Sequence, residues 1–271
     1  MPRTYVLTNH KGGVGKSTSA TNIALGLAAV LRQAKAKNSR VLLIDTDSQA
    51  HATLVTTGRN DYGPQDSLYS VLMADRQSAS QTLANCIVPS TWDEDLHVLP
   101  GSPLLEQAER ELQGTAGAPY RIADPLAKIA SGYAAGVIDT RPSFSLMTEM
   151  ALIAATDAII PIEPRYLETV GLLIVITKIN EIREGWRIPN LRVRGILVTK
   201  MDKRVKGHHH LLSEIKSHPM LGKLLIGIIP MNEAVSYAHR NHRSIFAYDP
   251  QAAASQAYAR LIARLVRQGG N

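Results

Sequence analysis

"TNHKGGVGKSTS" (Thr8–Ser19) is the stretch on which the fold turns. The strict phosphate-loop pattern is G-x-x-x-x-G-K-[ST]. Counting back from Gly15-Lys16-Ser17, its first glycine belongs at position 10, where this chain has His10 followed by Lys11. The pattern is missed by one residue, and a second lysine stands inside it. The surroundings are nonetheless in order. "TYVLT" (4–8) reads as a strand, and a helical pattern starts near Ser17. Gly12, Gly13 and Gly15 allow backbone angles other residues resist, so several N–H groups can converge on one anion. The helix N-terminus adds the positive end of its dipole. Lys16 is placed to reach the outer phosphates of a nucleotide and Ser17 to ligate Mg²⁺, with Val14 and Thr18 completing the cradle. A glycine-rich turn with chance lysines would not need strand, glycines, Lys-Ser and helix in that sequence.

Short apolar runs continue along the chain: 40–45, 96–100, 136–139, 158–162, 193–199 and 224–230. They are rich in Val, Ile and Leu without polar alternation, as strands covered on both faces are. Helical patterns lie between them at 17–34, 66–74, 102–113, 143–155, 167–184, 208–217, 231–240 and 251–268. Strand–helix alternation predicts an α/β fold with a mainly parallel twisted sheet of seven or eight strands and helices on both faces. The polar region 57–95 is expected to hold loops and short helices. No linker or repeat divides the 271 residues, so one domain over 1–271 is expected.

Composition narrows the function classes. The longest apolar runs are broken by Asp157 and Lys178, short of the roughly 18 residues of a membrane helix. No basic-then-apolar leader precedes the first strand, so a cytoplasmic protein is expected. The single cysteine, Cys86, excludes an internal disulfide and a Cys-rich metal centre, and reads as a small buried hydrophobe. The net charge of +7 is uneven: residues 1–150 carry 13 Lys+Arg against 14 Asp+Glu, residues 151–271 carry 17 against 9. That asymmetry suggests a polyanion partner, nucleic acid or an anionic membrane.

A phosphate loop also needs a carboxylate at the end of a neighbouring strand. "GVIDT" ends in Asp139, alone before a turn, and "VLLIDTD" supplies Asp45 and Asp47. Asp139 fits the Mg²⁺-side position better. Asp45 could hold a Mg²⁺-bound water and Asp47 could orient the attacking water. A lone aspartate is more often a cap, but three after apolar strands beside a phosphate loop favour function.

These motifs resemble a known family. "KGGVGKST" is similar to the deviant Walker A loop of the ParA/MinD group of ATPases. "VLLIDTDSQAHAT" resembles its second motif, D-x-D-P-Q-x-x-A-T, and "GVIDTRPSFS" its third, I-D-T-P-P-S. "IIPIEPRYLETVGL" and the stretch from "IIPMNEAVSYAHRNHRSIFAYDP" to the final helix look like the ParA/Soj partition branch in particular. The likeness runs from Tyr5 to about Leu265. It implies ATP and Mg²⁺ as cofactors, with a face-to-face homodimer formed when ATP is bound. Lys11 would cross to the partner's phosphates while Lys16 acts in cis, and Asp47 would position water. Adenine would lie near Lys200-Met201 and Pro230-Met231-Asn232. The departures are His10 for Gln, Ser48 for the Pro of the second motif, Arg141 for the first Pro of the third, and "SYAHRNHRSI" (Ser236–Ile245).

The partition branch binds DNA without sequence preference, and a ParB-like centromere-binding protein stimulates hydrolysis. A nucleoid-associated protein is then expected. The alternative is a related positioning ATPase that acts on a protein cargo or on a membrane surface, which the MinD branch binds through a C-terminal amphipathic helix. Here "AYARLIARLVRQ" carries such a stripe, but it continues from "AYDPQAAASQ" without a linker and is expected to dock on the sheet, so no membrane partner is expected. The basic excess therefore goes to double-stranded DNA, with Lys203, Arg204, Lys206, Lys216, Lys223, Arg240 and Arg243 as candidate phosphate contacts. Few aromatics are interleaved, which argues against stacking on single strands. His208–His210 read as surface residues rather than a metal site. Nothing before the first strand provides a helix-turn-helix arm, so operator binding is not expected.

Overall fold

The computed structural model describes residues 2–165 and 168–267. In chain order the first half holds β1 (Arg3–Leu7), α1 (Lys16–Gln33), β2 (Val41–Asp45), α2 (His51–Thr57), α3 (Leu68–Met73), α4 (Ala79–Cys86), β3 (Val88–Pro89), β4 (Leu96–Leu99), α5 (Leu105–Leu112), α6 (Ala123–Ile129) and β5 (Ala135–Asp139). The second half holds α7 (Leu146–Ile153), β6 (Asp157–Ile162), α8 (Glu168–Gly185), β7 (Arg192–Met201), α9 (Lys206–Ser217), α10 (Leu221–Leu224), β8 (Leu225–Pro230), α11 (Glu233–Arg240), α12 (Ile245–Tyr248) and α13 (Ala253–Arg267).

Among the described residues, eight strands form one sheet in the order β3-β4-β2-β5-β1-β6-β7-β8. Its neighbours pair in parallel, apart from β3, which runs antiparallel along the β4 edge. Side chains alternate across the sheet as the strand period requires. On β2, Leu42 and Ile44 join the core on one face, while Val41 and Leu43 join the core on the other. The first core is closed by α3 to α10, the second by α1, α2, α11, α12 and α13. Both faces are therefore covered, which is why these strands carry uninterrupted apolar runs.

The seven longer strands fall where the sequence places them, within a residue or two. β3 has only two residues, too few for any periodicity. α4 is one of the short helices expected within 57–95, while α2, α6, α10 and α12 match no helix expected from the sequence. Each has eight residues or fewer, and α2 has no local start signal: its N-cap is Ala50, left-handed at φ 49°, with no capping side chain of its own. The first residue of the predicted helix 167–184 and the last of 251–268 lie outside the described residues.

β1 sits between β5 and β6. The chain leaves β1 toward β2 on one side and later returns from β5 to β6 on the other. Strand order reverses there, and in open α/β sheets that is where ligands bind, beyond the carboxyl ends of the strands.

Candidate active site

The loop after β1 is held open by its own backbone and by two side chains. The Asn9 Nδ2 donates to the Pro161 carbonyl at 2.8 Å, and its Oδ1 accepts from the Lys11 N–H at 3.0 Å. Gly13 and Gly15 adopt φ values of +73° and +81°, the left-handed region that favours glycine. Gly15 is the N-cap of α1, and no side chain caps that helix nor does any acidic residue occupy its first turn. The first-turn N–H groups have no intrahelical acceptor and point outward, so an anion is their natural partner. The buried Val14 hands its carbonyl to the Thr199 hydroxyl at 2.9 Å, fastening the loop to β7.

Three lysines surround this loop in different ways. Lys16 is buried, and its Nζ donates to the Lys11 carbonyl at 2.7 Å. Burial lowers its pKa, while the charges of Asp139 and Asp47 oppose that shift. Lys200, expected on the adenine side, lies against the loop: its Nζ donates to the Gly13 carbonyl at 2.6 Å and sits 3.5 Å from Glu163 Oε2. Lys11 is half-buried and is not among the residues that line the cleft.

That cleft, about 570 Å³, brings together Gly12, Gly13, Gly15, Lys16, Ser17, Thr18 and Asp47. His51, Glu106 and Ser143, none of them a candidate from the sequence, also line it, as do Arg141 and His239 from two of the stretches that depart from the family's motifs. Burial drives the His239 pKa down to about 4, with the neighbouring charge of His51 adding to the effect. Met201, Pro230, Met231 and Asn232 line a separate cleft of about 810 Å³, together with Lys203, Arg204 and Arg260.

Asp45 and Asp139 end adjacent strands as register partners, both fully buried. Their surroundings differ. Asp45 Oδ1 accepts from the Asp47 N–H at 3.1 Å, and its Oδ2 accepts from the Thr53 N–H and hydroxyl at 2.8 and 2.7 Å. It thereby serves a first-turn donor of α2, the cap that the helix lacks locally. Gly101 makes this approach possible: a Cβ there would meet the Asp47 carbonyl oxygen at 2.9 Å and Asp45 Cγ at 3.0 Å. Among the described residues, Asp139, in contrast, has no hydrogen-bond partner on either carboxylate oxygen, although the Ser17 hydroxyl lies close enough to favour its ionised form. Burial raises both pKa values, that of Asp45 to about 6, and the Asp45 charge raises Asp139 further. Of the two, Asp139 is the carboxylate with oxygens to spare.

A divalent cation fits between Asp139 and Ser17. Asp139 is a buried carboxylate beside the Ser17 hydroxyl and an anion cradle, and the nearby Lys16 charge makes no hydrogen bond to either of its oxygens. Among the described residues no group of three His, Cys, Asp or Glu could hold a metal by itself. The remaining ligands would be phosphate oxygens and water, the usual arrangement for Mg²⁺. Asp47 is nearly buried, lines the same cleft, and accepts from the Gln49 N–H through Oδ1 at 3.0 Å.

His10 is explained by what faces it. Its ring stacks on Phe144 with centroids 5.6 Å apart and planes at 29°. The loop after β1 thus touches the segment that follows Asp139.

The seven basic residues singled out for DNA are all exposed. Arg204 pairs with Asp202 at 2.8 Å, and Arg243 Nη2 donates to the Ala247 carbonyl at 2.7 Å. His208 and His209 close the turn before α9: His208 Nδ1 accepts from the Asp202 N–H at 3.0 Å, and His209 Nε2 lies 2.7 Å from the Lys203 carbonyl. The stripe of α13 is spent inside the fold. Leu261, Ile262 and Leu265 are buried, and Tyr258 meets the Ser19 hydroxyl at 3.0 Å.

Known proteins share this sequence and fold. The AAA domain family model matches residues 2–193. The chromosome partitioning protein ParA of Caulobacter vibrioides is 32% identical over 267 residues, 97% of this chain and 94% of that protein. The sporulation initiation inhibitor protein Soj of Bacillus subtilis is 28% identical over 269 residues, 99% of this chain and 100% of that protein. Cobyrinic acid a,c-diamide synthase from Mycobacterium smegmatis, solved with a bound ATP analog and magnesium, is 26% identical with a TM-score of 0.75, covering 99% of this chain and 96% of that one. With motifs, fold and near full-length identity in agreement, the chain belongs to the AAA-domain family, in the ParA/Soj branch of the ParA/MinD ATPases.

Proposed function

We propose that this protein is an ATP-dependent DNA-partitioning ATPase. The observation that carries the reading is the convergence of an uncapped α1 N-terminus, Lys16, Ser17 and Asp47 on one cleft, with the buried, unpartnered Asp139 beside Ser17. The loop amides and Lys16 would bind the β- and γ-phosphates. Ser17 and Asp139 would hold Mg²⁺, which supplies charge neutralisation of the phosphates when bound. Asp47 would orient the attacking water, and Asp45 would hold the Asp47 loop and α2 in place rather than touch the cation. Lys11 would act across a homodimer, stabilising charge that develops on the partner's γ-phosphate as an arginine finger does.

The partition reading over other uses of the fold is supported by the ParA and Soj relatives and by the exposed basic residues of the C-terminal half. Without any groove-reading element assigned to them, Lys203, Lys206, Lys216, Lys223 and Arg240 suit contacts to DNA phosphates irrespective of sequence. A centromere-bound protein would stimulate hydrolysis and release the DNA at the nucleoid. A membrane surface as the target is disfavoured because the apolar stripe of α13 is buried.

Co-sedimentation with DNA and with anionic vesicles, with and without ATP, tests this. DNA binding that requires ATP and weakens steeply as salt rises supports the proposal. Vesicle binding with no DNA binding would replace it with a membrane-positioning role.

A further inference from the structure

Two of the positions at which this chain leaves the family's motifs, Ser48 and Arg141, are tied to one helix. The Ser48 hydroxyl donates to Glu106 Oε1 at 2.9 Å. The Arg141 guanidinium donates to Glu109 Oε2 at 2.7 Å. Glu106 and Glu109 stand three residues apart on α5, so they project from the same side of it. The opposite side, Leu105, Ala108 and Leu112, is buried in the core and fixes the helix against the sheet. Glu109 has a second bond: its Oε1 accepts from the Met147 N–H at 3.1 Å, at the start of α7. One carboxylate therefore holds both ends of the segment 141–147. Four residues before the helix, Gly101 packs against Asp45 and the Asp47 carbonyl.

Ser48 is adjacent to Asp47, and Arg141 lies two residues after Asp139. We propose that α5 clasps the Asp47 loop and the Asp139 loop to one another, with Glu106 and Glu109 as positioning residues for the reaction in the cleft. In the family's motifs proline stiffens each of these loops by itself. Here the Asp139 loop keeps Pro142, but the two lost prolines give way to polar side chains bound to one helix, so a shift in one loop is felt by the other. The clasp rests on the ATPase reading for its consequence, but its existence does not.

Glu109→Gln, Arg141→Ala, Ser48→Ala and the double variant Ser48→Ala/Glu109→Gln test it in the full-length protein. In amide hydrogen exchange without nucleotide, Glu109→Gln should speed exchange about tenfold in 141–147 and measurably also in 46–50, the loss of one charge-assisted bond. Turnover with DNA and the stimulating partner should fall roughly ten- to a hundredfold in Glu109→Gln and Arg141→Ala alike, because a small misplacement of the carboxylates suffices. Affinity for a non-hydrolysable ATP analogue should stay within about twofold, and the double variant should cost little more than the worse single change. Faster exchange confined to 141–147 would overturn the clasp. So would opposite effects on turnover, with Glu109→Gln raising it and Arg141→Ala lowering it, since Glu109 would then be restraining a cation used on the nucleotide. Were the wild-type protein to hydrolyse no ATP, the ATPase reading would fail, and the exchange measurement would still decide whether the two loops are coupled.

Discussion

Lys16 reaches back over its own loop and donates a 2.7 Å hydrogen bond to the carbonyl oxygen of Lys11. The two lysines that the sequence places in one motif thereby have different tasks. One is buried and ties the loop closed, ready to exchange a carbonyl for a phosphate oxygen. The other offers its backbone carbonyl to Lys16, and it is not among the residues that line the cleft.

Replacing Lys16 with alanine removes the loop tie and the nearest cation for the phosphates. ATP-analogue affinity measured by calorimetry should fall on the order of ten- to a hundredfold, as for loss of a charge-assisted hydrogen bond. The stability of the nucleotide-free chain should change by only ~1 kcal/mol, because water can replace the lost donor at the carbonyl of half-buried Lys11. Unchanged affinity would remove Lys16 from the phosphate site.

The buried carboxylates make a pH prediction. The folded-state pKa values of Asp45 and Asp139 lie above the ordinary carboxylate value of 3.8, mainly through burial. Between about pH 4 and 6, and higher for Asp139, the folded chain holds more protons than the unfolded one. This pair's contribution to stability therefore declines as pH rises through that window. Asp139→Asn should melt about 2–4 °C higher than wild type at pH 8, the shift expected of ~1 kcal/mol in a domain of this size. Its advantage should shrink at pH 5, and hydrolysis should be lost. Equal melting temperatures at both pH values would show that Asp139 carries no such burden.

Much of this site was legible because the loop, the strand ends and the first helix are contiguous in sequence. His10 was not, since its reason is the ring of Phe144, 134 residues away and brought alongside only by the β1–β5 pairing. Asp45 reads as a metal-side group because a strand-end aspartate before a turn gives no hint that Thr53 will occupy its Oδ2 and the Asp47 N–H its Oδ1. Helix α2 stayed hidden for the same cause, its cap lying outside the helix. Lys200 sits at a strand end in either view. Its left-handed backbone (φ 50°) falls inside β7, where the pairing with β8 shifts between Val198 and Met201, and its side chain meets the phosphate loop instead of the cleft of Met201 and Pro230.

The last helix is predicted to be structural. Gly26 of α1 has no room for a side chain because Ile262 of α13 occupies the space. Ile262→Ala should destabilise the protein by about 2–5 kcal/mol in denaturant unfolding, and Gly26→Ala by about 1–3 kcal/mol through overpacking. If both variants unfold at the wild-type midpoint, α13 is not part of the core, and a surface-binding role for its stripe returns.

The claim that a second chain completes each site rests on Lys11 acting in trans, and mixing two inactive variants addresses it. Lys11→Ala keeps its own Asp47, while Asp47→Ala keeps a lysine to lend. In an equimolar mixture half of the dimers are mixed, and each mixed dimer holds one intact site. Steady-state ATP hydrolysis with DNA and the stimulating partner should therefore recover to about one quarter of the wild-type rate, although each variant alone is inactive. A mixture as inactive as its components would contradict the shared site and return Lys11 to its own chain's loop.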